Sequence, residues 1–185
     1  MQFNKVTMKQ KLINLQTSSY EHPFDKAALE KVNAIPMLPK IVNFVMNWTV
    51  IKWKIVSMCG SNFHVTKGAC PDLAELSNEV FDILDLDRHP ELYMEQDYYI
   101  NAYTTGHQKD AFIVLSTGSV DRLDDGELQF VIGHEAGHIK SNHVLYHLMT
   151  AYLAQIVSAI PGASTVSLPL QTALWYWNRM SEFTA

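Results

Sequence analysis

The stretch "VIGHEAGHIKSNH", residues 131–143, places Glu135 between His134 and His138, two histidines four positions apart. In a helix each residue advances about 100°, so His134 and His138 lie about 40° apart on one face, a turn from each other. Both imidazoles can then reach one ion at about 2.0–2.1 Å. Glu135, about 100° round from His134, is placed beside the ion and not on it. The alternative is two surface or capping histidines that neighbour an acid by coincidence. The surroundings oppose it: Val131, Ile132, Ala136 and Ile139 make this an inside helix. Gly133 and Gly137 each cost a helix about 1 kcal/mol relative to alanine, so close packing is expected to explain them.

A third protein ligand is sought by elimination. Continuing the pattern with glycine at 141 and histidine at 144 would give one class of zinc site, but Ser141 and Val144 stand there. If the helix continued, His143 and His147 would lie about 140° to 180° from the His134–His138 face, which predicts packing or hydrogen-bonding roles for them. Downstream of His138 the chain has one acidic residue, Glu182. A glutamate from a second helix completes a site of two histidines and one carboxylate with a position open for water. The competing role for Glu182 is an ion pair with Arg179.

Working outward, the helix of the motif is expected to start at "DDGELQF", with Asp124 or Asp125 as cap and Glu127 in the first turn. Before it, "SNFHVT" reads as a short strand, and "ELYMEQ", "YYINAYTTG" and "AFIVLS" as three more, with Gly106 and Gln108 to Asp110 supplying a turn. "PDLAELSNEVFDILDLD" reads as a helix from Pro71 with Leu73, Leu76, Val80, Ile83 and Leu84 on one face. "HPFDKAALEKVNAI" reads as another, with Phe24, Ala28, Leu29 and Val32 apolar. "PKIVNFVMNWTVIKWKIV" is apolar around most of its circumference and predicts a buried helix; its Trp48, Trp53 and lysines also suit a membrane interface. From Val144 to Asn178 there is no Asp, Glu, Lys or Arg. The "IPG" at 160–162 and Pro169 interrupt that run, so buried helices are expected there, with a hairpin dipping into a membrane surface as the alternative. The class is α+β: helices packed on a small, mostly antiparallel sheet.

Composition bounds the function. At 185 residues the chain is expected to form a single domain, residues 1–185, with a helical part at 1–60 and the core at 61–185. A net charge of −5 gives no electrostatic case for nucleic acid as the partner. Cys59 and Cys70 are too few for a disulfide scaffold and lack a metal-binding pattern, which suits a reducing, cytoplasmic setting with peripheral membrane contact left open. The first residues have no signal-peptide core.

With these residues in view, "NAYTTG", "FIVLSTGSVDRL", "GELQFVIGHEAGHI", His143, the late "SEFTA" and the early "YEHPFDKAAL" resemble the gluzincin metallopeptidases that include HtpX and the CAAX prenyl protease of the Ste type, above all their shorter soluble branch. The resemblance runs from about Tyr20 to the end of the chain. It implies a zincin-like domain and one Zn²⁺ per chain, held by His134, His138 and Glu182. It also implies Glu135 as the base for hydrolysis of a peptide or protein substrate. The strand around Asn101, Ala102 and Tyr103 would line the cleft and pair with that substrate. That family's late motif ends in an aspartate, whereas Glu182, Phe183, Thr184 and Ala185 match and the chain stops one residue short of it. A different class of function remains: an inactive zinc-binding scaffold, or a membrane-associated interaction protein. Oligomeric state is not legible.

Overall fold

The computed structural model describes residues 10–36, 38–47, 49–107, 110–159 and 167–185. In chain order the elements are α1 (Pro23–Asn33), α2 (Leu38–Asn47), α3 (Thr49–Ser61), β1 (Phe63–Val65), α4 (Pro71–Ile83), β2 (Glu91–Glu95), β3 (Ala102–His107), β4 (Asp110–Ser116), α5 (Thr117–Arg122), α6 (Asp125–Lys140), α7 (Val144–Ala159) and α8 (Ser167–Thr184). The fold is α+β, as expected, and all four predicted strands form.

The sheet has the order β1-β2-β4-β3. It is mixed: β1 with β2 and β3 with β4 run antiparallel, while β2 and β4 run parallel. Side chains alternate between the two faces of a strand, and β4 shows it. Its Ile113 and Leu115 join Leu73, Leu76, Val80 and Phe81 of α4 and Leu128, Ile132 and Ala136 of α6. Phe112 and Val114 face the other way, with Tyr93, Tyr103 and, from α3, Ile55 and Met58. A second core lies apart from the sheet. Ala28, Val32, Leu38 and Ile41 of the early helices bury Met149 and Leu153 of α7 and Leu170, Leu174 and Trp177 of α8. The N-terminal helices thus cover one side of the uncharged run after Val144, while its Leu168, Trp175 and Tyr176 are exposed.

One expectation is corrected. The apolar stretch after Pro39 is helical on either side of Trp48, in α2 and α3, but it is not buried throughout: α3 leaves Trp53 and Val56 exposed. Pro39 itself lies within α2, and Pro169 sits in the first turn of α8, where a missing N–H costs nothing. Trp48, Gln108, Lys109 and the "IPG" lie outside the described residues. Among those described, no helix is long and apolar enough to cross a membrane.

Two devices set α6. At its start Asp124 accepts from the Glu127 N–H at 2.9 Å, and Glu127 accepts from the Asp124 N–H at 2.9 Å, a reciprocal capping box. Gly137 explains its own presence: a Cβ there would come within 2.8 Å of the Ala185 carbonyl oxygen. Gly133 does not, because its Cβ would meet only Val80 Cγ1, at an ordinary 3.7 Å. The expected outcome in urea unfolding is that Gly133→Ala stabilises by up to about 1 kcal/mol. Gly137→Ala should destabilise, by driving the end of α8 off α6. Equal effects of the two substitutions would contradict this packing.

Candidate metal centre

α6 presents His134 and His138 a turn apart, and α8 brings Glu182 across them. The Glu182 Oε2 atom is 3.1 Å from His134 Nε2 and 3.6 Å from His138 Nε2. Donors held about 2.1 Å from a tetrahedral ion stand about 3.4 Å apart, so this set suits one small divalent cation. The chemistry fits as well: two imidazole nitrogens and a carboxylate oxygen suit zinc. His138 is buried, while His134 and Glu182 are partly open to solvent, so the group is reached from their side.

The electrostatics follow from the same contacts. Hydrogen bonds from His134 and His138 hold the Glu182 carboxyl far below the usual carboxylate range, against the opposing effect of burial. His134 is raised, chiefly by its hydrogen bond to Glu182; burial opposes this, and the charges of Glu135 and Glu182 assist it.

Glu135 is buried, and its Oε2 accepts a 2.7 Å hydrogen bond from Thr104 Oγ of β3. Thr104 pairs in register with Ile113, so it lies on the α6 side of the sheet. Tyr103 lies on the other side, where its hydroxyl donates to Glu95 Oε2 at 2.9 Å. The tyrosine hydroxyl is thus directed away from the Glu135 face. Ala102 begins β3, an edge strand. Asn101 precedes it, and both of its backbone groups are already engaged. Its N–H meets the Ser116 and Ser119 hydroxyls, and its carbonyl accepts from the Ser116 N–H and the Ser119 hydroxyl.

His143 and His147 take the packing and hydrogen-bonding roles expected of them, but their direction corrects the sequence reading, which placed them off the His138 face. α6 does not continue. Asn142 adopts φ 61°, the His143 N–H bonds the His138 carbonyl at 2.9 Å, and the Asn142 N–H bonds that of Ile139 at 3.1 Å. This is a Schellman turn, with Asn in the left-handed position that it tolerates. The turn folds both histidines back: His143 Nδ1 lies 3.0 Å from His138 Nδ1, and the His147 ring centroid lies 4.7 Å from that of His138. One nitrogen from each of His138, His143 and His147 also falls within 4.8 Å of the others, so His138 belongs to two candidate groups.

Sequence reasoning missed Asp25, Thr104 and Thr184. Asp25 is 1% exposed; its Oδ2 meets His143 Nε2 at 3.1 Å and accepts from Thr184 Oγ1 at 2.6 Å. Burial pushes its pKa up, but hydrogen bonds from His143 and Thr184 outweigh this and leave it lowered. The Trp177 indole N–H assists, although neither it nor Asp25 Oδ1 makes a hydrogen bond of normal geometry among the described residues. A signal for Asp25 was present, since it occupies the position three before Ala28 and seven before Val32, on the buried stripe of α1. Cys59 and Cys70 are free thiols, partly buried.

The model of peptidase family M48 matches residues 70–175, more than half the chain, a span that includes His134, Glu135 and His138 and stops before Glu182. Among curated relatives, the plastoglobule-localized metallopeptidase 48, chloroplastic, of Arabidopsis thaliana is 30% identical over 173 residues, covering 92% of this chain and 50% of that protein. A protease HtpX homolog of Helicobacter acinonychis is 30% identical over 87 residues, 46% of this chain and 28% of the relative. One from Bacteroides fragilis is 24% identical over 144 residues, 74% and 44% respectively. The chain therefore spans half the length of the first of these, and less of the others. No solved structure matches.

These pKa shifts predict a stability profile for the chelator-treated chain. Burial first, then the charges of His138 and His143, push His147 down to about 3 from 6.5. The unfolded chain therefore takes up a proton below pH 6.5 that the folded chain refuses. Stability should fall as pH drops from 6.5 towards about 5, by at most about 1.4 kcal/mol per unit. His134 is shifted upward, so its contribution is present below its ordinary value and lost as pH rises through the folded one. Thermal unfolding should show a maximum near pH 6.5, with His147→Gln flattening the acid limb alone. An acid limb unchanged in that variant would contradict the assignment.

Proposed function

The chain belongs to peptidase family M48, and we propose that it is a zinc-dependent metalloendopeptidase, its 185 residues acting as one peptidase domain on a peptide or protein substrate. The observation that carries this reading is the convergence of His134 Nε2, His138 Nε2 and Glu182 Oε2, with Glu135 beside them on the same helix.

In this reading His134, His138 and Glu182 hold one zinc ion. When bound, such an ion polarises the scissile carbonyl and makes a coordinated water acidic near neutral pH. Glu135 takes a proton from the attacking water and later delivers it to the leaving amine, so that water adds across the broken C–N bond. Thr104 fixes one carboxylate oxygen of Glu135 by its 2.7 Å hydrogen bond and leaves the other to act. The substrate backbone lies along β3 from Ala102 and adds a strand to that edge, as exposed edges commonly allow. Asn101, with its backbone already paired, anchors the start of β3. Tyr103, facing Glu95, supports the strand from behind. Peripheral membrane contact is a lesser part of the proposal and would use the exposed Trp53 and Val56 of α3.

An inactive zinc-binding scaffold predicts the same metal and no cleavage. Glu135 separates the two readings, because binding an ion does not require it. In the zinc-loaded chain, Glu135→Gln should keep zinc near one per chain by native mass spectrometry and lose peptide hydrolysis. Glu182→Ala should lower zinc affinity sharply in chelator competition. Cleavage by Glu135→Gln within about tenfold of the wild type would contradict its role as base, which general-base losses normally exceed. No cleavage by the wild type would favour the scaffold.

A further inference from the structure

Asp25 is the most buried carboxylate near the site, and the hydrolysis described above makes no use of it. An ionised carboxylate away from water is expensive unless it is paired and hydrogen-bonded. It stands on the apolar stripe of α1, beside Ala28 and Val32, where an aliphatic residue would meet the packing need without that cost.

Its contacts form a chain whose proton pattern is fixed once both histidines are neutral, the form in which an imidazole ligates a metal. An ionised carboxylate only accepts, so His143 must present N–H at Nε2 to Asp25 Oδ2, 3.1 Å away. A neutral imidazole carries one such proton, which leaves His143 Nδ1 as an acceptor. His138 Nδ1, 3.0 Å from it, is then the donor, since two N–H groups cannot share that line. That leaves the lone pair of His138 Nε2 for a metal beside Glu182 Oε2; without a metal, a proton on Nε2 points at Glu182 instead. All three members of the relay are buried: Asp25, His143 and His138 are each 3% exposed or less.

We propose that Asp25 is a positioning residue that acts through His143 to fix the tautomer and ring direction of His138, so that His138 Nε2 is the nitrogen offered to a metal. The inference rests on the reading of His138 as a metal ligand. Carboxylates that orient a ligating imidazole directly are a general device; here a second imidazole is interposed. The relay also keeps an ion out of the group formed by His138, His143 and His147, because a proton occupies the line between the two Nδ1 atoms.

The same carboxylate joins α1 to α8 through Thr184, so a purely structural role needs to be separated. Asp25→Asn conserves shape, but its amide can donate to His143 and reverse the relay. In the full chain, Asp25→Asn should raise the zinc dissociation constant by about 10–100-fold. Val32→Ala, which weakens the packing of α1 in the helical core and touches no member of the relay, should lower the melting temperature and leave zinc affinity within about threefold, well short of that loss. Long-range proton–nitrogen NMR correlations of the imidazoles in the zinc-loaded wild type should show the proton on Nε2 in His143 and on Nδ1 in His138. This holds as a test even where Asp25→Asn does not fold. Unchanged zinc affinity in Asp25→Asn, an equal loss in Val32→Ala, or the opposite tautomers in the zinc-loaded wild type would overturn the relay alone. A wild-type chain that takes up no zinc would overturn the metal reading, and the relay's purpose with it.

Discussion

An imidazole has two nitrogens in fixed opposite directions, and His138 is held so that each meets a different partner. Nε2 faces Glu182 and the open side of the site, while Nδ1 faces His143 and the buried side. Much of the molecule serves that orientation. The Schellman turn at Asn142 sends the chain back under His138, α8 crosses α6 closely enough to bring Glu182 over it, and α1 supplies the carboxylate at the buried end. Turning the ring by half would put the Cδ2 and Cε1 carbons where the two nitrogens stand and leave buried polar groups unmatched, at a cost of about 1–3 kcal/mol each.

The two cores have different tasks. The sheet and α4 fix α6 from one side through Ile132 and Ala136, and β3 carries Thr104 to Glu135. The helical core fixes the other partners: Trp177, fully buried in α8, packs edge-on against His143 and His147 four to five residues before Ser181 and Glu182. The metal group thus lies where two separately packed bodies meet, with α6 drawn from one and α8 from the other. A small misfit between them would show first in the Glu182 contacts, which are the most exposed of the set.

Local chemistry was legible in the sequence wherever a short rule governed it. The spacing of His134 and His138, the capping pair Asp124 and Glu127, the helix start at Pro71 and the four strands all follow from periodicity and caps. Glu182 could be singled out because it is the one acid downstream of His138. What failed depended on tertiary structure or on a single backbone angle. His143 and His147 were misdirected because the helix was extended through Asn142, whose positive φ ends it; the "SNH" at 141–143 carried that signal. Asp25 escaped notice because its partner is more than a hundred residues away, so no local pattern records the pairing. The open side of α3 at Trp53 and Val56 escaped notice because the run is apolar around most of its circumference, so no polar face marks it.

The central claim is that one zinc ion is held by His134 Nε2, His138 Nε2 and Glu182 Oε2, and the most direct measurement is anomalous diffraction at the zinc edge from crystals of the zinc-loaded chain. A single peak about 2.0–2.2 Å from each of those three atoms is the predicted result. A peak among His138, His143 and His147 instead, with Glu182 turned away, would contradict it, because it would require His138 to give the opposite nitrogen to the metal.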